Sequence, residues 1–157
     1  MRSMLKSAFV FSALLFVSCM IWTFRPAAAS DSIHWMSYKE GMSLADNLQK
    51  KRLIFFTAEW CAYCGKMDHE SFKTPPVIKY INTHYVPIKV DFDRDNKTAT
   101  TYNVQGLPDL WFISENGESI SHRPGYIPAD TLLQLLRYVS TDSYQKMSFP
   151  KFVKQCK

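Results

Sequence analysis

Residues 53–64 read Leu53-Ile54-Phe55-Phe56-Thr57-Ala58-Glu59-Trp60-Cys61-Ala62-Tyr63-Cys64. The first five form a short, nearly continuous apolar run, the pattern of a strand covered on both faces. Two cysteines separated by two residues follow. Cys61, Cys64, Met67, Asp68 and Phe72 then recur at the spacing of a helix that begins at the first cysteine. Thr74-Pro75-Pro76 interrupts that helix, and a second piece over residues 77–83 can restart there because proline is accepted in the first turn. Residues 86–91 read as the next strand. Strand, helix and strand in this order predict a parallel pair joined by a right-handed crossover. The cysteines then fall at the C-terminal end of the first strand, where sites in open α/β sheets lie.

Working outward, Met42, Leu44, Ala45 and Leu48 lie roughly at helical spacing over residues 38–50, with Ser37 available as an N-cap. On the other side, a short polar helix is expected over residues 98–102 and a strand over 110–113. The turn Glu115-Asn116-Gly117-Glu118 and a strand over 119–123 follow, Asn116-Gly117 being a strong hairpin signal. Trp111 and Phe112 read as packing residues of their strand. Residues 128–139 carry Leu132, Leu133, Leu135 and Leu136 and predict an amphipathic helix over the sheet. No motif marks residues 140–157.

At the N-terminus, Arg2 and Lys6 precede an almost unbroken apolar run over residues 8–22, followed by Arg25, Pro26 and Ala27-Ala28-Ala29-Ser30. That order predicts a secretory signal peptide over residues 1–29, cleaved after Ala29. An uncleaved anchor is the alternative, and Phe16-Val17-Ser18-Cys19 is a weak match to a lipidation site. Without residues 1–29, Lys+Arg falls from 19 to 16 against 14 acidic residues, so a formal charge of +5 becomes +2. The basicity is in part a targeting signal, and no Lys/Arg cluster interleaved with aromatics remains to bind nucleic acid. The remaining length suits one domain, placed at residues 30–139 with a tail over 140–157. Cysteines are too sparse for a scaffold held by several disulfides.

Backbone N–H groups and the dipole at a helix start favour a thiolate on the first cysteine. Cys61 is therefore the candidate nucleophile, forming a mixed disulfide with a substrate, and Cys64 the resolving thiol that displaces it. His69 follows Cys64 by five residues and points elsewhere around the helix. Trp60 and Tyr63 flank the pair as a candidate apolar docking surface. Two other readings use the same cysteines: half of a metal site, although no second Cys-x-x-Cys or paired histidines complete it, or a disulfide that only staples the fold of a substrate-holding module. No cofactor is implied.

The segments Glu59-Trp60-Cys61-Ala62-Tyr63-Cys64 and Tyr102-Asn103-Val104-Gln105-Gly106-Leu107-Pro108 resemble the two signature segments of thioredoxins, and the likeness covers residues 35–138. More narrowly, Trp35, Cys64-Gly65-Lys66-Met67-Asp68, Phe72 and Gly125-Tyr126 resemble exported thioredoxin-like proteins related to the C-terminal domain of the thiol-disulfide interchange reductase DsbD. The resemblance implies a thioredoxin fold, a central mixed sheet flanked by helices, and a protein thiol-disulfide oxidoreductase. It implies that Pro108 is a cis-proline facing the disulfide, with the Leu107 backbone free to pair with an extended substrate. It also implies that Asp68 lies where the DsbD-type domain carries a carboxyl group, able to accept the proton of Cys64. One departure is that Phe55 occupies the place of the buried strand aspartate of ordinary thioredoxins, while Lys89 keeps the place of the matching lysine. Proton handling then falls to Asp68, with Glu59 as a second candidate. The implied partners are exported protein disulfides or thiols and a membrane thiol-disulfide electron donor. Ala62-Tyr63 places no histidine between the cysteines, which favours reduction over oxidation. Cys156 is left over, either a tail thiol or a cysteine that pairs with another chain.

Overall fold

The computed structural model describes residues 31–155, so the expected signal peptide, Cys19 and Cys156 lie outside the described residues. The first helix, α1 (Tyr38–Leu48), opens on a reciprocal cap. Ser37 Oγ accepts from the Glu40 amide at 3.4 Å and donates to the Glu40 carboxylate at 2.7 Å. It ends where Gln49 turns left-handed, with φ of 50°. Strand β1 (Lys51–Thr57) follows, and all seven of its residues are buried. It lies between β2 (Tyr85–Asp91), which runs parallel to it, and β3 (Asp109–Ile113), which is antiparallel. β4 (Ser119–Pro124) closes the order β2-β1-β3-β4. The sheet is thus mixed, as the fold class requires.

Alternation along β1 divides the core. Leu53 and Phe55 face a cluster with Cys64, Met67, Phe72, Phe112 and Leu136, while Ile54 and Phe56 face Ala45, Ile88 and Val90. On the second side α1 sits so close to β2 that a Cβ at Gly41 would stand 2.3 Å from Ile88 Cγ1. Close approach therefore demands glycine there.

Several boundaries differ from the sequence reading. β1 starts at Lys51, before the apolar run, because Lys51 and Arg52 are buried with polar partners. Lys51 Nζ meets Glu115 at 2.6 Å and Asp142 at 3.0 Å, and Arg52 donates to the Asp46 carboxylate and to the Ser114 and Glu115 carbonyls. α2 (Ala62–His69) stops short of Phe72. A 3-10 turn (Ser71–Lys73) carries Phe72 inward against Trp35 and Phe55, with ring centroids 5.1 and 4.9 Å away. The two prolines lie inside the first turn of α3 (Pro75–His84) rather than before it. α4 (Asn96–Thr101) begins two residues earlier than expected because Asp95 caps it through the Thr98 amide. Gly117, with φ of 87°, makes the β3–β4 turn, and α5 (Ala129–Ser140) covers the sheet. The tail is structured as well. A 3-10 turn (Ser143–Gln145) and α6 (Phe149–Gln155) gather around Tyr138 of α5, whose ring meets Phe149 and Phe152 and whose hydroxyl donates to the Met147 carbonyl at 2.6 Å. Sequence periodicity is weak over such short pieces, so the tail gave no pattern to read.

Candidate functional site

At the end of β1 the chain turns through Ala58-Glu59-Trp60 and enters α2 at Cys61, which is its N-cap. Cys61 and Cys64 are joined by a disulfide, with Cα atoms 5.2 Å apart. The Cys64 amide donates to Cys61 Sγ at 3.2 Å, and the Gly65 amide to the Cys61 carbonyl at 3.1 Å. Cys61 keeps 7% of its surface and Cys64 only 1%, whereas the neighbouring Trp60 and Tyr63 are 67% and 63% exposed. Both cysteines are therefore buried in one core cluster, Cys61 keeping slightly more surface than Cys64, while the residue before the pair and one within it carry exposed rings.

The loop after β2 holds the loop after β1. Trp60 Nε1 donates to Asp93 at 2.8 Å, Arg94 pairs with Glu59 at 2.7 Å, and the Phe92 amide donates to the Thr57 carbonyl at 2.8 Å. Asp91 fixes that second loop by accepting from the Asp93 and Arg94 amides, both at 3.0 Å. Glu59 is thus engaged with an arginine at the surface.

Asp68 lies one turn beyond Cys64 and is half-buried. Both of its oxygens accept from Lys89 Nζ, at 2.8 and 2.9 Å. The same ammonium stands 5.5 Å from the ring of Phe55 and 5.9 Å from that of Trp35. Lys89 is therefore not a bare surface residue: the strand lysine keeps a carboxylate partner, but that partner comes from α2 instead of from β1. The pair borders a cleft of about 250 Å³ with Trp35 and Phe72. His69 also borders this cleft and is exposed.

The Leu107–Pro108 peptide is cis. The pairing of Phe56 with Asp109 brings Pro108 to the level of Thr57, at the same end of the sheet as the cysteines. The Pro108 carbonyl accepts from the Gly125 amide at 2.7 Å. Leu107 is half-buried and packs against both core clusters. Sequence reasoning missed Asp109, a buried carboxylate directly after Pro108, and its partners Trp111 and His122. The available signal was an acidic residue opening a strand otherwise apolar through Ile113. Tyr126, which entered the sequence reading through the resemblance alone, donates its hydroxyl to Glu70, and Lys66 Nζ stands 4.5 Å from its ring centroid. Among the described residues, no three of His, Cys, Asp or Glu converge as metal ligands would, and no helix is long and apolar enough to cross a membrane.

The sequence profile of the Thioredoxin-like domain matches residues 38–140. The chain belongs to the thioredoxin-like family. With Cys61 and Cys64 at the first turn of α2, it is a thioredoxin-like disulfide oxidoreductase. Its relatives include the disulfide bond reductase DsbH of Chlamydia pneumoniae, 28% identical over 116 residues that span 66% of this chain and 69% of that protein. The thiol:disulfide interchange protein DsbD of Campylobacter jejuni is 37% identical over 89 residues, which are 54% of this chain but 15% of DsbD. That likeness concerns one part of a much longer protein. Among solved structures, a thioredoxin from Thermus thermophilus superposes with a TM-score of 0.63 at 27% identity, covering 69% of this chain and 87% of that one. A DsbH oxidoreductase superposes at 0.58 and 24% identity, over 78% of this chain and 89% of that one, a likeness of fold. In this thioredoxin-like chain Lys89 of β2 takes its carboxylate partner, Asp68, from α2, and the ring of Phe55 on β1 stands 5.5 Å from the ammonium.

Proposed function

We propose that this protein is exported and reduces the disulfides of exported proteins. The observation that carries the reading is the Cys61–Cys64 disulfide at the start of α2, next in sequence to the exposed rings of Trp60 and Tyr63. In the dithiol form, the Cys64 amide and the positive end of the helix dipole favour a thiolate on Cys61. That thiolate attacks one sulfur of a substrate disulfide. A Cys61–substrate bond forms as the substrate bond breaks, and the departing thiolate takes a proton from water. Cys64 then gives up its proton and attacks the Cys61 sulfur, so the internal disulfide forms and the substrate leaves with two thiols. Two electrons have passed to the substrate, and a membrane-borne dithiol protein returns them.

Trp60 and Tyr63 supply the docking surface, and the Leu107 main chain, shaped by cis-Pro108, pairs with the extended substrate. Asp68, on the same helix face as Cys64 by its four-residue spacing, takes the Cys64 proton while Lys89 holds it in place. Reduction is supported by Ala62-Tyr63, which offers no imidazole to stabilise the Cys61 thiolate, and by the likeness to DsbH, a protein named as a disulfide bond reductase. Export is supported by the charged, apolar and small-residue order of residues 1–29. The test is the equilibrium potential of the pair, read against dithiothreitol or glutathione, together with insulin reduction. A value near the thioredoxin figure of about −270 mV is expected, and one near about −120 mV would reverse the direction. Undiminished insulin reduction by Cys61→Ser would overturn the mechanism itself.

A further inference from the structure

Asp109 is a buried carboxylate that the exchange steps leave unused. It keeps 2% of its surface and directly follows Pro108. A charge in that position is strongly unfavourable unless hydrogen-bonded, and two donors meet it. Trp111 Nε1 donates to it at 2.8 Å, and His122 Nδ1 stands 3.1 Å from each of its oxygens. The His122 ring lies flat on Trp111, with centroids 4.4 Å apart and planes 22° apart, and its side chain is half exposed.

The strand register shows what this arrangement fastens. Trp111 opposes His122 and Asp109 opposes Pro124, so the Asp109–His122 bridge runs diagonally across the β3–β4 ladder. The same register sets Gly125 opposite Pro108 as a hydrogen-bonded pair: the Gly125 amide donates to the Pro108 carbonyl from a backbone with φ of 89°. Pro124, opposite Asp109, falls in the alternate non-hydrogen-bonded pair, where the ladder asks no N–H of it. Pro108 is therefore gripped on both sides, by a backbone bond from the β4 end and by a side-chain strap on the next residue. Neither grip involves the cysteines.

We propose that Asp109 and His122 are positioning residues that hold the start of β3 so that the Leu107–Pro108 main chain receives a substrate peptide in register. The proposal rests on the disulfide-exchange reading above and assigns the strap to capture of the extended peptide, not to thiol chemistry. A small dithiol reaches Cys61 without pairing with Leu107, so the two kinds of reaction separate the roles. The rate at which dithiothreitol reduces the oxidised protein reads the cysteines alone, whereas kcat/KM for insulin reduction reads the cysteines and the peptide groove together.

For His122→Ala, insulin kcat/KM should fall about five- to tenfold, mainly through KM, the scale of one ordinary hydrogen bond. The dithiothreitol rate should stay within about twofold, as expected when no group at the cysteines has changed. His122→Gln, whose amide can still donate to Asp109, should recover most of the loss. Asp109→Asn, which keeps the side-chain shape, should show the same split as His122→Ala, so the proposal stays testable should the alanine variant fold poorly. Unchanged insulin kinetics in both His122→Ala and Asp109→Asn, or insulin and dithiothreitol rates that fall together, would overturn the proposal while leaving the exchange reading intact. A wild-type protein that exchanges with dithiothreitol but never reduces insulin would instead overturn the exchange reading, and the strap's role with it.

Discussion

Replacing Trp60 by alanine should weaken capture of protein substrates while leaving the fold and the cysteine chemistry in place. Trp60 is 67% exposed, and its Nε1 donates a hydrogen bond to Asp93, which is itself at the surface. Losing that bond costs at most about 1 kcal/mol, because the stranded carboxylate is rehydrated. The effect on binding is larger. An aromatic side chain offers up to about 250 Å², so at two-thirds exposure roughly 170 Å² is available to a partner. A docked peptide covering half of it removes about 85 Å² from water, worth about 2 kcal/mol at about 25 cal/mol per Å². That corresponds to an increase of about thirtyfold in KM, an upper figure because ordering the peptide opposes binding. The assay is steady-state insulin reduction beside the rate of reduction by dithiothreitol, with a thermal melt of each variant. KM should rise about ten- to thirtyfold, consistent with that area, while the dithiothreitol rate and the melting midpoint stay near the wild-type values. A variant whose KM is unchanged, or whose midpoint falls along with both rates, would show that Trp60 is a structural prop and not a docking ring.

Two further predictions concern the scaffold. Gly41→Ala gains about 1 kcal/mol of helix propensity, but its Cβ would stand 2.3 Å from Cγ1 and 2.8 Å from Cδ1 of buried Ile88. Overpacking of about 1–3 kcal/mol should win, lowering urea stability by up to about 2 kcal/mol, and a more stable variant would mean that α1 slides on β2 without resistance. At Lys51, burial pulls the ammonium's pKa down, but hydrogen bonds and charge from Glu115 and Asp142 outweigh it and leave the pKa above 10.5. Folding thus raises it, so the stabilisation is complete below about pH 10.4 and is lost as pH climbs through the higher folded value. The melting midpoint should drop less steeply above that pH in Lys51→Met than in the wild type, and parallel curves would refute the pairing.

The core of the fold was readable because its signals are local. A seven-residue strand buried on both faces demands an apolar run, and residues 53–57 supply most of it. A helix entered through Cys61 and Cys64 shows itself by spacing, and Asn116-Gly117 marks its hairpin by backbone preference alone. What misled the reading were charged residues with distant partners. Nothing in the apolar pattern assigns Lys51 and Arg52 to β1, yet they open it and are buried because Glu115, Asp142 and Asp46 meet them.

The same division runs through the site. The order Trp60-Cys61-Ala62-Tyr63-Cys64 by itself determined that two sulfurs one turn apart would sit at a helix start, with an aromatic ring before the pair and another within it. Helical spacing also put Asp68 on the Cys64 side of α2. That Asp68 is held by Lys89, 21 residues further along the chain and near the ring of Phe55, depends on β2 lying beside β1. Likewise Asp109 and Pro108 are adjacent in the chain, but only the β3–β4 register brings His122 onto the carboxylate and Gly125 onto the Pro108 carbonyl. Reactive groups close together in the chain are legible because helix and strand geometry is short-ranged. Their long-range partners are decided by how the sheet is assembled, and that belongs to the tertiary structure.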